Sequence, residues 1–146
     1  MAVSNELTKP ESDDEFEAMC HQLYKRMWQD VSCVRVGRSG QSQSGVDILG
    51  AYGGKPVGVQ CKHYNKKSFA MATIAEDIKK ADDAGLRIDH LLFATTAGSD
   101  PKIIEMVRNL SAQRQMDGKF TVSIDYWGVN STTKCNSHAT SCSGLK

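Results

Sequence analysis

A pair of glycines between two strand-like runs is the feature that most limits how this chain can fold. Gly53 and Gly54 separate the runs 46–51 and 56–63, both of which are rich in apolar residues. Glycine adopts the positive φ angles of a two-residue hairpin turn at little cost. The two runs are therefore predicted to pair as antiparallel strands.

The patterns on either side of the hairpin predict an α/β fold. Apolar residues from Phe16 to Trp28 recur at helical spacing, and Ser12 with Glu15 forms a capping box before them. The other predicted elements are a short strand at 33–36, a helix at 70–84, a strand at 90–96, a helix opened by Asp100 and Pro101, and a last strand at 120–127. The order α-β-β-β-α-β-α-β implies a mixed central sheet flanked by helices.

Composition is that of a globular protein. The 146 residues are 40% hydrophobic and 24% charged, which suits one domain with its own core. No apolar run approaches the roughly 18 residues of a membrane-spanning helix, and the first residues lack the pattern of a signal peptide. Five cysteines, with no CxxC pair, favour reduced thiols. We therefore expect a cytoplasmic protein that does not associate with membranes.

Charge and composition change along the chain. Residues 1–17 hold six acids and one base, which leaves 17 bases and 11 acids, a net charge of +6, for the rest. This moderate bias favours anionic partners. We predict a flexible N-terminus at 1–11, a folded domain at 12–129 and a polar tail at 130–146.

Polar side chains gather on one face of the predicted hairpin. If Gly53 and Gly54 form the turn, Asp47 faces Gln60, and Lys62 shares that face because strand side chains alternate. A carboxylate and an amide oxygen suit a hard cation such as magnesium, and a nearby lysine can stabilise phosphate charge. The residues predicted to point the other way, into the core, are Val46, Ile48, Val59 and Cys61.

The first helix offers a second carboxylate. Glu17 lies on the flank of the apolar stripe, on the side of Tyr24 and Trp28, and so close to the sheet. The loop 37–45 lacks the GK[ST] ending of a nucleotide-binding loop, and it either lines a nucleic-acid groove or only connects two strands. The basic residues predicted to lie on solvated helix faces are Lys79, Lys80, Arg108 and Arg114.

These motifs resemble a known family. Gly45-Val46-Asp47-Ile48, a short hairpin, and then Val59-Gln60-Cys61-Lys62 are similar to the Mrr-like branch of the PD-(D/E)xK nuclease superfamily. The segments Phe16-Glu17, Val36-Gly37-Arg38-Ser39-Gly40 and Phe93-Ala94-Thr95-Thr96-Ala97 also match it. The resemblance covers 16–127 and implies a restriction-endonuclease-like core over the domain 12–129.

The resemblance implies roles for individual residues. Asp47 would be the central metal ligand, and the backbone carbonyl of Cys61 a further one. Gln60 would occupy the ligand position that is Asp or Glu in the wider superfamily and commonly Gln in this branch. Glu17 would restore part of the missing negative charge, and Lys62 would orient or activate the attacking water. The implied cofactor is Mg²⁺, with Mn²⁺ able to substitute.

The implied activity is metal-dependent hydrolysis of DNA by an endonuclease domain of a restriction or antiphage defence system. Its expected partners are DNA and either further copies of this chain or a larger defence complex. The residues expected to contact DNA are Arg35, Arg38, Ser39, Gln41, His63, Lys66 and Lys67. Two other functions stay open: a non-cleaving DNA-binding or assembly module of the same fold, and a structure-selective nuclease similar to junction resolvases. An intact Asp47 and Lys62 argue against the first of these.

Overall fold

The described residues form five strands and three helices in the predicted order. A computed structural model describes residues 10–36, 46–64 and 69–127. The elements are α1 (Asp13–Met27), β1 (Val34–Arg35), β2 (Ile48–Tyr52), β3 (Lys55–Lys62), α2 (Met71–Ala84), β4 (His90–Thr95), α3 (Pro101–Met116) and β5 (Thr121–Tyr126). The predicted tail at 130–146 and the loop 37–45 lie outside the described residues.

One mixed sheet organises the fold. Its strand order is β1-β2-β3-β4-β5; β2 pairs antiparallel with both β1 and β3, and β4 pairs parallel with both β3 and β5. Each parallel pair is connected by a helix, α2 between β3 and β4 and α3 between β4 and β5. The prediction of an α/β fold with a mixed sheet flanked by helices is confirmed.

The hairpin has the predicted register between Ile48 and Val59, but the pairing stops before Asp47, so the predicted Asp47–Gln60 pair does not form. Tyr52 pairs with Lys55 and Ile48 with Val59, with Gly53 and Gly54 between them. Both glycines have positive φ, 62° and 81°, as a type I′ turn requires. The turn therefore fixes which residues of β2 and β3 face each other.

The helix ends follow the predicted signals. Glu15 N–H donates to Ser12 Oγ at 3.1 Å, and Lys102 N–H donates to Asp100 Oδ1 at 3.0 Å. The helix α2 ends at Ala84 as predicted, and Gly85 follows it in the left-handed conformation at φ 65°, which glycine adopts readily. In the described part of the chain, no helix is long and apolar enough to cross a membrane.

Each face of the sheet carries its own apolar cluster. The cluster under α1 contains Phe16, Cys20, Tyr24, Cys33, Ile48, Val59 and Ala94. The cluster under α2 and α3 contains Val46, Phe69, Ile74, Ile78, Ala81, Ile88, Leu91, Phe93, Ala97, Val107 and Val122. Both faces are thus buried over part of their area, which explains the short apolar run of β4.

The sheet corrects the prediction for Val46. Ile48 and Val59 are buried in the core as expected, in the cluster under α1, and Cys61 packs partly against the same cluster. Val46 belongs instead to the cluster on the opposite face, where its Cγ1 lies 2.8 Å from the position that a Cβ on Gly58 would take. Regular pairing begins only at Ile48, so strand alternation does not extend back to Val46.

Arg114 corrects a second prediction. It is buried rather than solvated, and its two terminal nitrogens donate to the carboxylate of Asp82 at 3.0 and 2.7 Å. Its guanidinium also lies 4.1 Å from the centre of the Phe120 ring. Arg114 therefore ties α3 to α2 and to the start of β5.

Candidate active site

Asp47 is held where β2 begins and β3 ends. Its N–H donates to the carbonyl of Val59 at 2.7 Å, and its carbonyl accepts from Val36 N–H at 2.8 Å. Its side chain accepts from Cys61 N–H through Oδ2 at 2.8 Å. Main-chain and side-chain bonds therefore fix this carboxylate against β3 at Cys61, the residue between Gln60 and Lys62.

The electrostatics of Asp47 show which charges lie near it. Burial raises the pKa of Asp47 from its usual 3.8 to about 6, and the hydrogen bond from Cys61 N–H acts in the opposite direction. The charges of Glu17 and Asp77 raise the same pKa, whereas Lys62 lowers it. Three carboxylates and one ammonium therefore interact at this end of the sheet.

Gln60 is a polar residue inside the fold. It is only 5% exposed, next to Phe93 of β4 in the strand register. Its Oε1 is buried and has no hydrogen-bond partner among the described residues. A buried amide oxygen without a partner is costly, so a cation or water at this oxygen would be favourable.

Lys62 is paired with a residue that the sequence did not single out. Its Nζ lies 2.7 Å from Asp77 Oδ2 of α2, although the contact is an ion pair without the alignment of a hydrogen bond. Asp77 is 4% exposed, while the Lys62 side chain is 20% exposed. The ammonium is therefore held at the site by a carboxylate beneath it.

Asp77 had a signal in the sequence. It stands among Ile74, Ile78 and Ala81, at the spacing of a single helix face, and all four residues are buried. An acid within an apolar stripe needs a charged or hydrogen-bonded partner once it is buried. The pattern thus indicated an internal partner for Asp77, but it did not indicate which residue that partner is.

Glu17 lies at the edge of the site on α1. Its side chain is 16% exposed, and its Oε2 accepts from Arg35 Nε at 3.1 Å. Arg35 also donates to Asp14 Oδ1 at 2.6 Å. The predicted metal-binding carboxylate and the predicted DNA-binding arginine are therefore partners of each other.

The remaining residues predicted to contact DNA fall into two groups. His63 is packed under the start of α1, with its side chain 9% exposed, Nε2 3.0 Å from the Pro10 carbonyl and Nδ1 3.2 Å from Asp13 Oδ1. The residues outside the described ranges are Arg38, Ser39, Gln41, Lys66 and Lys67.

The predicted ligands are oxygen atoms, the type of ligand that a hard cation such as magnesium prefers. Asp47 and Glu17 supply carboxylates, and Gln60 supplies an amide oxygen with no other partner in the described chain. Within residues 10–36, 46–64 and 69–127, no three His, Cys, Asp or Glu side chains are arranged to hold a metal ion. The predicted set has only two such side chains, since its other ligands are an amide and a main-chain carbonyl.

A groove of about 570 Å³ lies elsewhere on the sheet. Its lining includes Trp28, Lys55, His90, Lys119 and Thr121, at the ends of β3, β4 and β5 away from Lys62. None of the predicted site residues lines it. The groove is therefore separate from the cluster around Asp47.

Comparison of this chain with protein-family models, with curated proteins and with solved structures gives no match. The nuclease interpretation rests on the residues themselves and on the motifs they form.

Proposed function

We propose that this chain is a metal-dependent endonuclease domain that hydrolyses phosphodiester bonds of DNA in the cytoplasm. Its place would be in a restriction or antiphage defence system, as a homo-oligomer or within a larger complex. The observation that carries the proposal is that the Asp47 carboxylate accepts from Cys61 N–H at 2.8 Å, between Gln60 and Lys62 of β3. Gln60 also has a buried amide oxygen without a partner among the described residues.

The residues of the site have distinct roles in this proposal. Asp47 and Gln60 Oε1, with the Cys61 carbonyl and Glu17, would hold a magnesium ion. When bound, the ion supplies positive charge to the scissile phosphate and acidifies a water molecule. Lys62 orients that water and stabilises the charge that develops on the phosphate. The water gives one proton to solvent and its oxygen attacks the phosphorus, while the bond to the 3′ oxygen breaks and that oxygen takes a proton from solvent, leaving a 5′ phosphate and a 3′ hydroxyl.

Plasmid cleavage tests the proposal directly. We expect wild-type protein to cut DNA with magnesium or manganese and to stop when a chelator is added. Asp47→Ala and Lys62→Ala should each abolish cutting, because one removes the central ligand and the other the ammonium. Lys55→Ala is the matched control, since Lys55 is an exposed lysine of the same strand and should leave the rate unchanged.

Circular dichroism of each variant shows whether the fold is kept. A folded Lys62→Ala protein that cuts at the wild-type rate would contradict the proposed role of Lys62.

A second candidate is a non-cleaving DNA-binding module of the same fold. The ion pairs of the site favour this second function, because Lys62 is paired with Asp77 and Glu17 with Arg35 rather than being free for catalysis. A folded protein that cuts no DNA, but binds it with an affinity that falls steeply with salt, would support this function over the first.

A further inference from the structure

Asp77 occupies a position that helix packing alone does not explain. It lies on the buried face of α2 between Ile74 and Ile78, and it is 4% exposed. Placing an ionised carboxylate in such surroundings is strongly unfavourable unless a partner compensates. An apolar residue at this position would pack against the same cluster without that cost.

The partner of Asp77 is the lysine of the candidate site. Lys62 Nζ approaches Asp77 Oδ2 to 2.7 Å from the end of β3, and β3 also carries Gln60 and Cys61. The carboxylate is the more buried member of the pair, at 5% side-chain exposure against 20% for the lysine. The buried Asp77 carboxylate is therefore fixed in place by packing, and it holds the longer and more exposed side chain of Lys62.

A second ion pair of the same helix shows the contrast. Asp82 of α2 binds Arg114 through two aligned hydrogen bonds, and that pair joins α2 to α3 away from the site. The Asp77 contact lacks such alignment, and its charge also acts on Asp47. One pair therefore connects helices, whereas the other connects α2 to the site.

We propose that Asp77 is a positioning residue that holds the Lys62 ammonium at the active site. The proposal rests on the proposed function, because only a catalytic Lys62 gives this placement a use. Asp77 does not touch substrate in this scheme and acts through Lys62.

Reductive methylation of metal-free protein tests the hold on Lys62. The extent of labelling at each lysine is followed by peptide mass spectrometry, with Lys79, whose side chain is 75% exposed, as internal reference. Asp77→Asn should make Lys62 label faster than in wild type, because the amide no longer pairs with the ammonium. Asp82→Asn is the matched control and should leave Lys62 labelling unchanged.

Cleavage kinetics test the consequence. Asp77→Asn should lower kcat by about 10- to 100-fold, as removal of supporting residues commonly does, with KM for DNA unchanged. Asp77→Glu should recover part of the rate by restoring the carboxylate, a recovery that a merely structural role does not predict.

The two readouts separate failure of this proposal from failure of the proposed function. Unchanged labelling of Lys62 in Asp77→Asn would overturn the proposal, as would a rate loss fully explained by a smaller folded fraction in thermal denaturation. Wild-type protein that cuts no DNA, with the labelling change present, would reject the nuclease function but retain the hold of Asp77 on Lys62.

Discussion

Two residues of the site sit in surroundings that are costly for their chemistry. Gln60 leaves a buried oxygen without a partner among the described residues, which costs about 1–3 kcal/mol. Asp47 is buried enough for its pKa to rise to about 6. Perturbed groups of this kind are common where a site binds or reacts. The free energy of unfolding is therefore lower than it would be with apolar residues in place of Gln60 and Asp47.

The pH dependence of stability follows from Asp47. Its pKa is higher in the folded protein than in the unfolded chain, so the unfolded chain ionises first as pH rises. The free energy of unfolding should fall between pH 3.8 and about 6 and stay lower above that range. In metal-free protein, Asp47→Asn should be more stable than wild type at pH 8, by up to about 3 kcal/mol, and nearly equal at pH 4.

Urea denaturation at several pH values measures this difference. Asp89→Asn, at an exposed acid away from the site, is the control and should show no such trend. A stability difference between Asp47→Asn and wild type that does not vary with pH would contradict the prediction.

Metal dependence is expected to change at Gln60. Gln60→Glu places a further carboxylate beside Asp47, so the variant should melt at a lower temperature than wild type in chelator. Magnesium should raise its Tm more than that of wild type, because the added charge strengthens cation binding. A roughly hundredfold excess of metal over Kd corresponds to about 2.7 kcal/mol of stabilisation. Equal thermal shifts for the two proteins would indicate that no cation binds at Gln60.

At the scale of elements, α1 depends on a close approach to β2. A Cβ on Gly50 would lie 2.9 Å from Trp28 Cζ3 and 3.0 Å from Cys33 Sγ. Trp28 in turn stacks on Tyr24, with ring centres 5.1 Å apart. The absent side chain of Gly50 therefore lets the end of α1 pack onto the sheet.

Gly50→Ala should destabilise the protein by about 1–3 kcal/mol, because the Trp28 ring and the Cys33 side chain have to shift. Gly98→Ala is the matched control, since a Cβ at Gly98 meets open space. Urea denaturation followed by tryptophan fluorescence measures both variants. Equal stabilities of the two alanine variants would contradict the expected clash.

At the scale of the whole molecule, α2 and α3, which cover the same face of the sheet, are joined by the ion pair between Asp82 and Arg114. The Arg114 side chain is 8% exposed and the Asp82 side chain 34% exposed. Arg114→Met should cost about 2 kcal/mol, less than a fully buried pair because solvent reaches Asp82. Lys79→Met breaks the exposed pair with Asp83 and should cost below about 0.5 kcal/mol. Similar losses for the two variants in thermal denaturation would show that Arg114 does not tie α2 to α3.

The sequence by itself determined the local structure. The adjacent glycines fixed the hairpin turn and so the register from Tyr52–Lys55 to Ile48–Val59, next to which Asp47 lies. The side chains of Ser12 and Asp100 marked where α1 and α3 begin, because a cap bonds main-chain groups only two or three residues away. Such features depend on neighbours in the chain, and the order of elements follows from them.

Only the tertiary structure decided the partners that lie far apart in the chain. Asp77 pairs with Lys62, and Arg114 pairs with Asp82, because the packing of α2 and α3 on the sheet brings these side chains together. Val46 faces the cluster under α2 and α3 because it lies before Ile48, where the regular pairing with β3 ends. The alternation of side chains along a strand shows which residues share a face of the sheet. Because both faces are apolar, it does not show which helix packs on which face.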